Sequence, residues 1–146
     1  MEINLCLERS LTFSPMSVSM NLEDQLDISR GDMIVRENNI PQIGQEIDIM
    51  LCWLNEKALN LNTRYILRHT NCEMQTTIDK VLYKIDILNL RRMENETSLQ
   101  MNDIGRVRIR STRPLIYDSY RRNRNTGSLI LIDEGTNETV GAGMII

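Results

Sequence analysis

The chain has 146 residues, of which 41% are hydrophobic and 25% charged, and its formal net charge at pH 7 is −3. These values are typical of a globular protein with one good core, or with one domain and a fragment of another, and they disfavour general nucleic-acid binding. Aromatic residues make up only 4% of the chain, too few for a stacking platform that holds single-stranded nucleic acid. The longest apolar run, residues 49–54, is far too short to span a membrane.

The cysteines and the N-terminus indicate the compartment. Cys6, Cys52 and Cys72 are widely spaced and form no CxxC pair. This spacing favours reduced thiols in the cytosol over a disulfide framework. The first ten residues, "MEINLCLERS", include an early acidic residue and no long apolar stretch, so they do not match a signal peptide. We therefore expect a cytoplasmic protein with no membrane partner.

Alternation of apolar and polar residues dominates the chain and predicts β-strands with one solvent-facing side. The first such stretch is "SVSMNL" at 17–22. Runs rich in β-branched and aromatic residues at 63–69 and 74–85 predict two further strands. The alternating "GRVRIRS" at 105–111 and the apolar "SLILID" at 128–133 predict two more.

Turn signals separate these predicted strands. "RGD" at 30–32 predicts a turn in which Gly31 can adopt a positive φ, followed by a strand in "MIVR". Further turns are expected in "NNIPQIG" at 38–44, "NDIG" at 102–105 and "DEGTN" at 133–137. No segment combines a helical apolar stripe with a capping box and a glycine stop. Many short strands joined by turns predict an all-β barrel or sandwich.

The polar segment 36–45, with its proline and glycine, is the best candidate domain boundary. Residues 1–40 are too few for an independent β-domain, so we expect a partial barrel there that is mobile or self-associating. Residues 41–146 are a comfortable size for a six-stranded barrel. Within them, the polar stretch 91–103 predicts a long hairpin loop or an insertion.

The residues that could carry chemistry are few. His69 is the one histidine, and it lies three residues before Cys72. The two could supply metal ligands, but a structural zinc site needs four, and a nucleophilic mechanism would need the same histidine. A metal or thiol enzyme built on His69, Cys52 and Cys72 is therefore a remote alternative. We expect a polar residue near a strand end and no catalytic or metal site.

Arginine is concentrated near the C-terminus, with seven arginines between residues 106 and 124. The alternation places three of them on one strand face: Arg106, Arg108 and Arg110. Three more lie in the loop "YRRNRNTG": Arg121, Arg122 and Arg124. Two interpretations are open. Either the face is balanced by acids elsewhere, or the arginines bind an acidic partner or phosphates.

Two segments carry a resemblance to a known family. Residues 14–35, with "DISRGDMIV", resemble the end of the second domain in the GTP-binding large subunit of bacterial sulfate adenylyltransferase. Residues 102–145, with "NDIGRV", "RNTGSLILID" and "TNETVGAG", resemble the end of that subunit's third domain. Residues 46–85 follow the same pattern. Elongation factor Tu, in the wider superfamily of translation-factor GTPases, is similar more loosely.

The resemblance implies a fold and a role. Members have a GTPase domain followed by two barrels, and they pair with a small catalytic subunit that makes adenosine 5′-phosphosulfate from ATP and sulfate. GTP hydrolysis drives that reaction. By this resemblance, residues 41–146 form an antiparallel Greek-key barrel like the third domain of elongation factor Tu. Gly141 and Gly143 would allow close strand approach at its seam.

The family's GTP-binding motifs do not occur here; "NEKA" at 55–58 lacks the aspartate of a guanine reader. We therefore expect GTP and Mg²⁺ to be bound only by the missing GTPase domain, and no cofactor by this chain. The expected role is docking and coupling to the small catalytic subunit and to that GTPase domain. Arg121, Arg122 and Arg124 are the expected contact residues. The alternative is an RNA-binding barrel of translation-factor type that uses the arginine-rich strand.

Overall fold

A computed structural model gives the fold of residues 4–5, 13, 15–17, 19–22, 24–61, 63–94 and 96–146, with the backbone alone at 4–5 and 20–21. Within these ranges there are strands and no helix, and hence no helix that could cross a membrane. The all-β prediction is confirmed. The strands are β1 (Asn4–Leu5), β2 (Met20–Asn21), β3 (Gln42–Trp53), β4 (Arg64–His69), β5 (Cys72–Asp86), β6 (Arg91–Met93), β7 (Ile104–Tyr117), β8 (Ser128–Asp133) and β9 (Thr139–Ile145).

Six of these strands close into an antiparallel barrel. Around the barrel the order is β3, β7, β5, β4, β8 and β9, and β9 pairs again with β3. The neighbouring strands β4, β5 and β7 form a meander, with the short β6 between β5 and β7 in the chain. β3, which precedes the meander, lies beside β7, and this arrangement is a Greek key. Closure pairs every barrel strand on both sides over part of its length and so removes the open edges.

The barrel interior is filled by the apolar residues that alternate along each strand. On β3, Ile49 and Leu51 are fully buried, and Trp53 at its end is 2% exposed. Each such side chain contributes about 1.5–3 kcal/mol when it leaves water. The Trp53 indole lies edge-on to the Tyr65 ring, with centroids 5.8 Å apart, and its Nε1 donates to the Lys57 carbonyl at 2.7 Å. The alternation seen in the sequence therefore builds the core.

The glycines of β9 allow the close approach that the sequence suggested. A Cβ at Gly141 would lie 2.9 Å from Leu51 Cδ1 of the neighbouring strand. A Cβ at Gly143 would lie 2.9 Å from both Ile49 Cδ1 and Leu129 Cδ1. Both distances are shorter than ordinary contacts, so a methyl group at either position would displace the ends of these interior side chains.

The N-terminal part departs from two strand predictions. Residues 33–36, "MIVR", do not form a strand, and the nearest pairing is an isolated bridge between Arg30 and Asp32. In the predicted strand 17–22, only Met20–Asn21 is assigned as strand, while Val18 lies outside the described residues, as does Cys6. A strand forms only where a neighbouring strand can accept and donate its backbone hydrogen bonds. Alternation of apolar and polar residues does not show whether such a neighbour is present.

β3 was not predicted as a strand, and it begins within the predicted turn 38–44. Gln42, Ile43 and Gly44 pair with the far end of β7, and the register then shifts between Gly44 and Glu46. This bulge lets the proline- and glycine-containing segment enter the sheet. The division of the chain at residue 40 stays a prediction.

Residues 30–32 contact the barrel at the turn between β4 and β5. Arg30 Nε donates to the Asn71 carbonyl at 2.8 Å, and the Asp32 carboxylate accepts from the Ser29 amide at 2.8 Å. Gly31 has a φ of 113°, which confirms the predicted turn. A Cβ there would also lie only 2.8 Å from Cys72 Sγ.

Candidate functional site: the arginine loop

The loop between β7 and β8, residues 119–126, contains the three arginines expected to contact a partner, and we call it the arginine loop. Its two ends are joined beside a buried carboxylate. The Asp118 amide donates to the Thr126 carbonyl at 3.2 Å, and Thr126 Oγ1 donates to Asp118 Oδ2 at 2.8 Å. Asp118 is 6% exposed. The loop is therefore closed by backbone and side-chain bonds together.

The single histidine holds the arginine loop by a hydrogen bond to its backbone. His69 ends β4, as predicted, and only 2% of it is exposed. Its Nε2 lies 2.8 Å from the Thr126 carbonyl oxygen, which can only accept, so Nε2 is the donor. The structure thus gives the histidine a positioning role beneath the loop.

The arginine loop is also attached to β9. The Tyr120 amide donates to the Ile145 carbonyl, and the Ile145 amide donates to the Gly127 carbonyl, each at 2.8 Å. Gly127 lies against the loop backbone: a Cβ there would be 2.4 Å from Tyr120 Cα and 2.7 Å from the Asn123 carbonyl oxygen. No side chain fits at this position.

The three predicted contact residues have different surroundings. Arg122 contacts an earlier part of the chain: its guanidinium contacts the Asn39 side-chain oxygen and donates to the Ile40 carbonyl at 3.4 Å. It also lies 3.5 Å from Asp118 Oδ1. Arg121 and Arg124 are exposed and have no ion pair or hydrogen bond to the described residues. Arg122 therefore holds the loop onto residues 39–40, whereas the other two are free for a partner.

The arginines of the β7 face are balanced by acids on β3. Arg106 Nη2 and Arg108 Nε both bind the Asp48 carboxylate, at 2.8 and 2.7 Å, and Arg110 Nη2 lies 2.8 Å from Glu46 Oε1. The register places Asp48 directly opposite Arg108 and Glu46 opposite Arg110. The first interpretation of the arginine-rich strand is confirmed, and the pairing leaves less free charge for the RNA-binding alternative.

The hydrogen bond from Arg108 is the largest cause that lowers the pKa of Asp48, and Arg106 adds to it, although burial acts in the opposite direction. In return, the Asp48 carboxylate raises the pKa of both guanidinium groups. Asp48 is therefore charged at neutral pH and joins two arginines across the β3–β7 pair. Arg106 Nε is buried without a hydrogen-bond partner, so Arg106 binds the Asp48 carboxylate through its Nη2 nitrogen instead.

Within the part of the chain that the structure describes, no three His, Cys, Asp or Glu side chains are grouped so as to hold a metal ion. His69 and Cys72 are opposite each other across the β4–β5 turn, but the imidazole is used by the arginine loop. Cys52 and Cys72 are half-buried free thiols.

Comparison with known proteins places this barrel in a family. The model of the family described as GTP-eEF1A C-terminal domain-like matches residues 46–146, which is more than half of the chain. The chain belongs to that family. The matched region contains all six barrel strands except the first few residues of β3.

Similar full-length proteins give more detail. The chain is 43% identical over 134 residues to the bifunctional enzyme CysN/CysC of Rhodopirellula baltica, covering 92% of this chain and 21% of that protein. It is 45% identical over 135 residues to the protein of the same name from Mycobacterium tuberculosis, covering 92% and 22%. It is 37% identical over 139 residues to sulfate adenylyltransferase subunit 1 of Bacteroides fragilis, covering 95% and 29%. The chain thus spans less than a third of each relative.

Among solved structures, Sup35 complexed with GDP matches with a TM-score of 0.74 over 88% of this chain and 31% of that chain. The sequence identity is 14%, so the likeness concerns the fold alone. It confirms the barrel fold that the resemblance implied. In this C-terminal domain-like barrel, the arginine loop lies beside the end of the last strand.

The ion pairs of Asp48 with Arg106 and Arg108 give a prediction about stability. Asp48→Asn keeps the shape of the side chain but removes the charge shared by Arg106 and Arg108. Because these arginines are each about one-third exposed, solvent screens the pairs, and we expect a loss of about 1–2 kcal/mol at pH 7 in urea unfolding. Glu46→Gln, which removes a half-exposed pair, is the matched control and should change little.

The pH dependence has a definite sign. The folded pKa of Asp48 is lowered, so its contribution is full above the unfolded value of about 3.9 and is lost as the pH falls towards the lower folded value. The difference between wild type and Asp48→Asn should therefore shrink below about pH 4. An equal difference at pH 7 and pH 3 would contradict the assignment.

Proposed function

We propose that this chain is the barrel portion of a regulatory GTPase subunit of sulfate adenylyltransferase, acting in the cytoplasm by docking and coupling. The supporting observation is the 34–45% identity over 92–95% of this chain to bifunctional CysN/CysC enzymes and sulfate adenylyltransferase subunits 1. The whole enzyme would make adenosine 5′-phosphosulfate from ATP and sulfate. GTP and Mg²⁺ would bind to a GTPase domain outside this chain.

The partner in this proposal is the small catalytic subunit, and the contact is the arginine loop. Its ends are fixed by Asp118, His69 and Gly127, so the exposed Arg121 and Arg124 are carried by an ordered backbone. Preordering lowers the entropy lost on binding. Arginines of this kind suit carboxylates on a partner, which they bind in pairs of hydrogen bonds.

The test is binding of the 146-residue chain to a purified small catalytic subunit, followed by calorimetry. The double variant Arg121→Glu and Arg124→Glu should weaken the complex at least about tenfold, because two attractive contacts become repulsive. Arg64→Glu with Lys80→Glu is the matched control: it changes net charge equally, at two exposed positions on other strands with no ion pair to the described residues. Its affinity should equal that of wild type.

The outcomes separate two parts of the proposal. Absence of any complex at high protein concentration would overturn docking by the barrel. A complex whose affinity is the same in all three proteins would keep docking and discard the arginine loop as its site. Arg122→Glu tests a different point, since it should loosen residues 39–40 from the loop and so alter the protection of their amides.

A further inference from the structure

The turn between β5 and β6, residues 87–90, carries large apolar side chains into solvent, and we call it the hairpin tip. Leu88 is 92% exposed, Leu90 81% and Ile87 55%. Scattered single apolar residues are normal on a protein surface, but three within four residues form a patch. Among the residues that the structure describes, β6 pairs only with the end of β5, so the tip lies at an edge of the barrel.

The hairpin tip is ordered by its own hydrogen bonds. Asp86 Oδ1 accepts from the amides of Leu88 at 3.0 Å and Asn89 at 3.4 Å, and Asp86 Oδ2 accepts from Asn89 Nδ2 at 2.7 Å. Leu90 has a φ of 53°, a left-handed conformation that costs a branched residue free energy. The turn therefore holds its leucines in solvent at a cost, instead of folding them back onto the barrel.

The base of the hairpin tip is basic. Arg91 and Arg92 follow it directly and are both exposed. The Arg92 guanidinium carbon lies 4.8 Å from the centroid of the Tyr83 ring, a cation–π contact that orients it. The tip thus combines apolar area with adjacent positive charge. A surface that fits it must combine apolar area with negative charge.

The chain has such a surface in residues 24–28, which we call the acidic segment. Asp24 and Asp27 are exposed, and between and beside them Leu26 is 56% and Ile28 45% exposed. The segment belongs to no strand. Its backbone hydrogen bonds are local: the Leu26 amide donates to the Asp24 carbonyl, and the Ile28 amide donates to the Leu26 carbonyl. Its apolar and acidic side chains are therefore open to a neighbour.

We propose that the chain self-associates through these two surfaces, with the hairpin tip of one copy against the acidic segment of a second copy. A two-fold axis would repeat the contact, so that each copy gives its tip and receives its partner's. This contact is separate from the arginine loop and does not depend on the proposed enzyme.

The experiment is sedimentation of the full chain over concentrations from about 1 µM to about 500 µM, the range expected for a small contact. Wild type should pass from monomer to dimer. The tip variant, Arg91→Glu with Arg92→Glu, and the segment variant, Asp24→Lys with Asp27→Lys, should each dissociate at least about tenfold more readily. Mixed together, these two variants should form heterodimers of wild-type strength, because each tip then meets a segment of opposite charge.

Leu88→Ser provides a second variant that leaves the charges alone, and circular dichroism checks that each variant is folded. A monomer at every concentration would overturn the proposal. So would a dimer that neither variant weakens, or a mixture that is not rescued. Binding of the monomer to phosphatidylserine vesicles that Leu88→Ser abolishes would assign the tip to a membrane instead. Loss of small-subunit binding in the tip variant of a monomeric chain would assign it to that subunit.

Discussion

Gly127→Ala should lower the free energy of unfolding by about 3 kcal/mol, among the largest effects expected of any single methyl group in this chain. The new Cβ would lie 2.4 Å from Tyr120 Cα, 2.5 Å from Tyr120 N and 2.7 Å from the Asn123 carbonyl oxygen. All three are backbone atoms, so no change of rotamer relieves the clash. The loop must move, and the bonds that join it to β9 must break or lengthen.

Gly135→Ala is the matched control. The nearest atom to its added Cβ is Asp133 Oδ1 at 3.4 Å, which is ordinary contact with a side chain. Urea unfolding of the two variants, followed by circular dichroism, should leave Gly135→Ala within about 0.5 kcal/mol of wild type. If Gly127→Ala were equally stable, the close packing of the arginine loop would be refuted.

The same variant connects stability with the proposed function. Displacement of the Tyr120 backbone moves the residues on either side of it, including Arg121. Gly127→Ala should therefore weaken small-subunit binding even at temperatures where the barrel is still folded. The proposed site therefore depends on the buried groups that hold the arginine loop in place.

Most of the barrel could be predicted from the sequence because alternation reports directly which side of a strand is buried. β8 lies where the pattern placed it, β4 begins one residue later than predicted, and β5 differs by two residues at its start and one at its end. β3 was missed: Ile49 and Leu51 face the core, but Met50 and Cys52 on the other side are also apolar. The alternation is therefore hidden in a continuous run. Its position beside β7 depends on long-range pairing.

The candidate site could be predicted only in part. The cluster of arginines is visible in the sequence, but the different roles of Arg122 and its neighbours depend on residues 39–40, more than eighty positions away. The support from His69 is equally remote, since Thr126 is 57 residues further along the chain. Spacing in the sequence carries no information about such contacts. Gly127 gave a weak signal, as a glycine directly before a strongly apolar strand.

Leu99 is a buried residue in a stretch whose polar composition predicts an exposed loop. The stretch 91–103 was predicted as a loop or insertion, and it does connect β5 to β7 beyond the short β6. Yet Leu99 within it is fully buried, and its Cδ2 lies 2.8 Å from where a Cβ on Gly105 would stand. Its carbonyl also accepts from the Leu59 amide at 2.9 Å. Leu99 therefore packs the connection between β5 and β7 against the core.

Leu99→Ala should cost about 3 kcal/mol in urea unfolding, since it removes buried methyl groups and leaves a cavity that the closed barrel cannot fill. Leu88→Ala is the same chemical change at a position 92% exposed and should stay within about 0.5 kcal/mol of wild type. A dispensable insertion would give two equal values. A large difference would mean that residues 94–103 are part of the barrel's fold, because Leu99 belongs to its hydrophobic core.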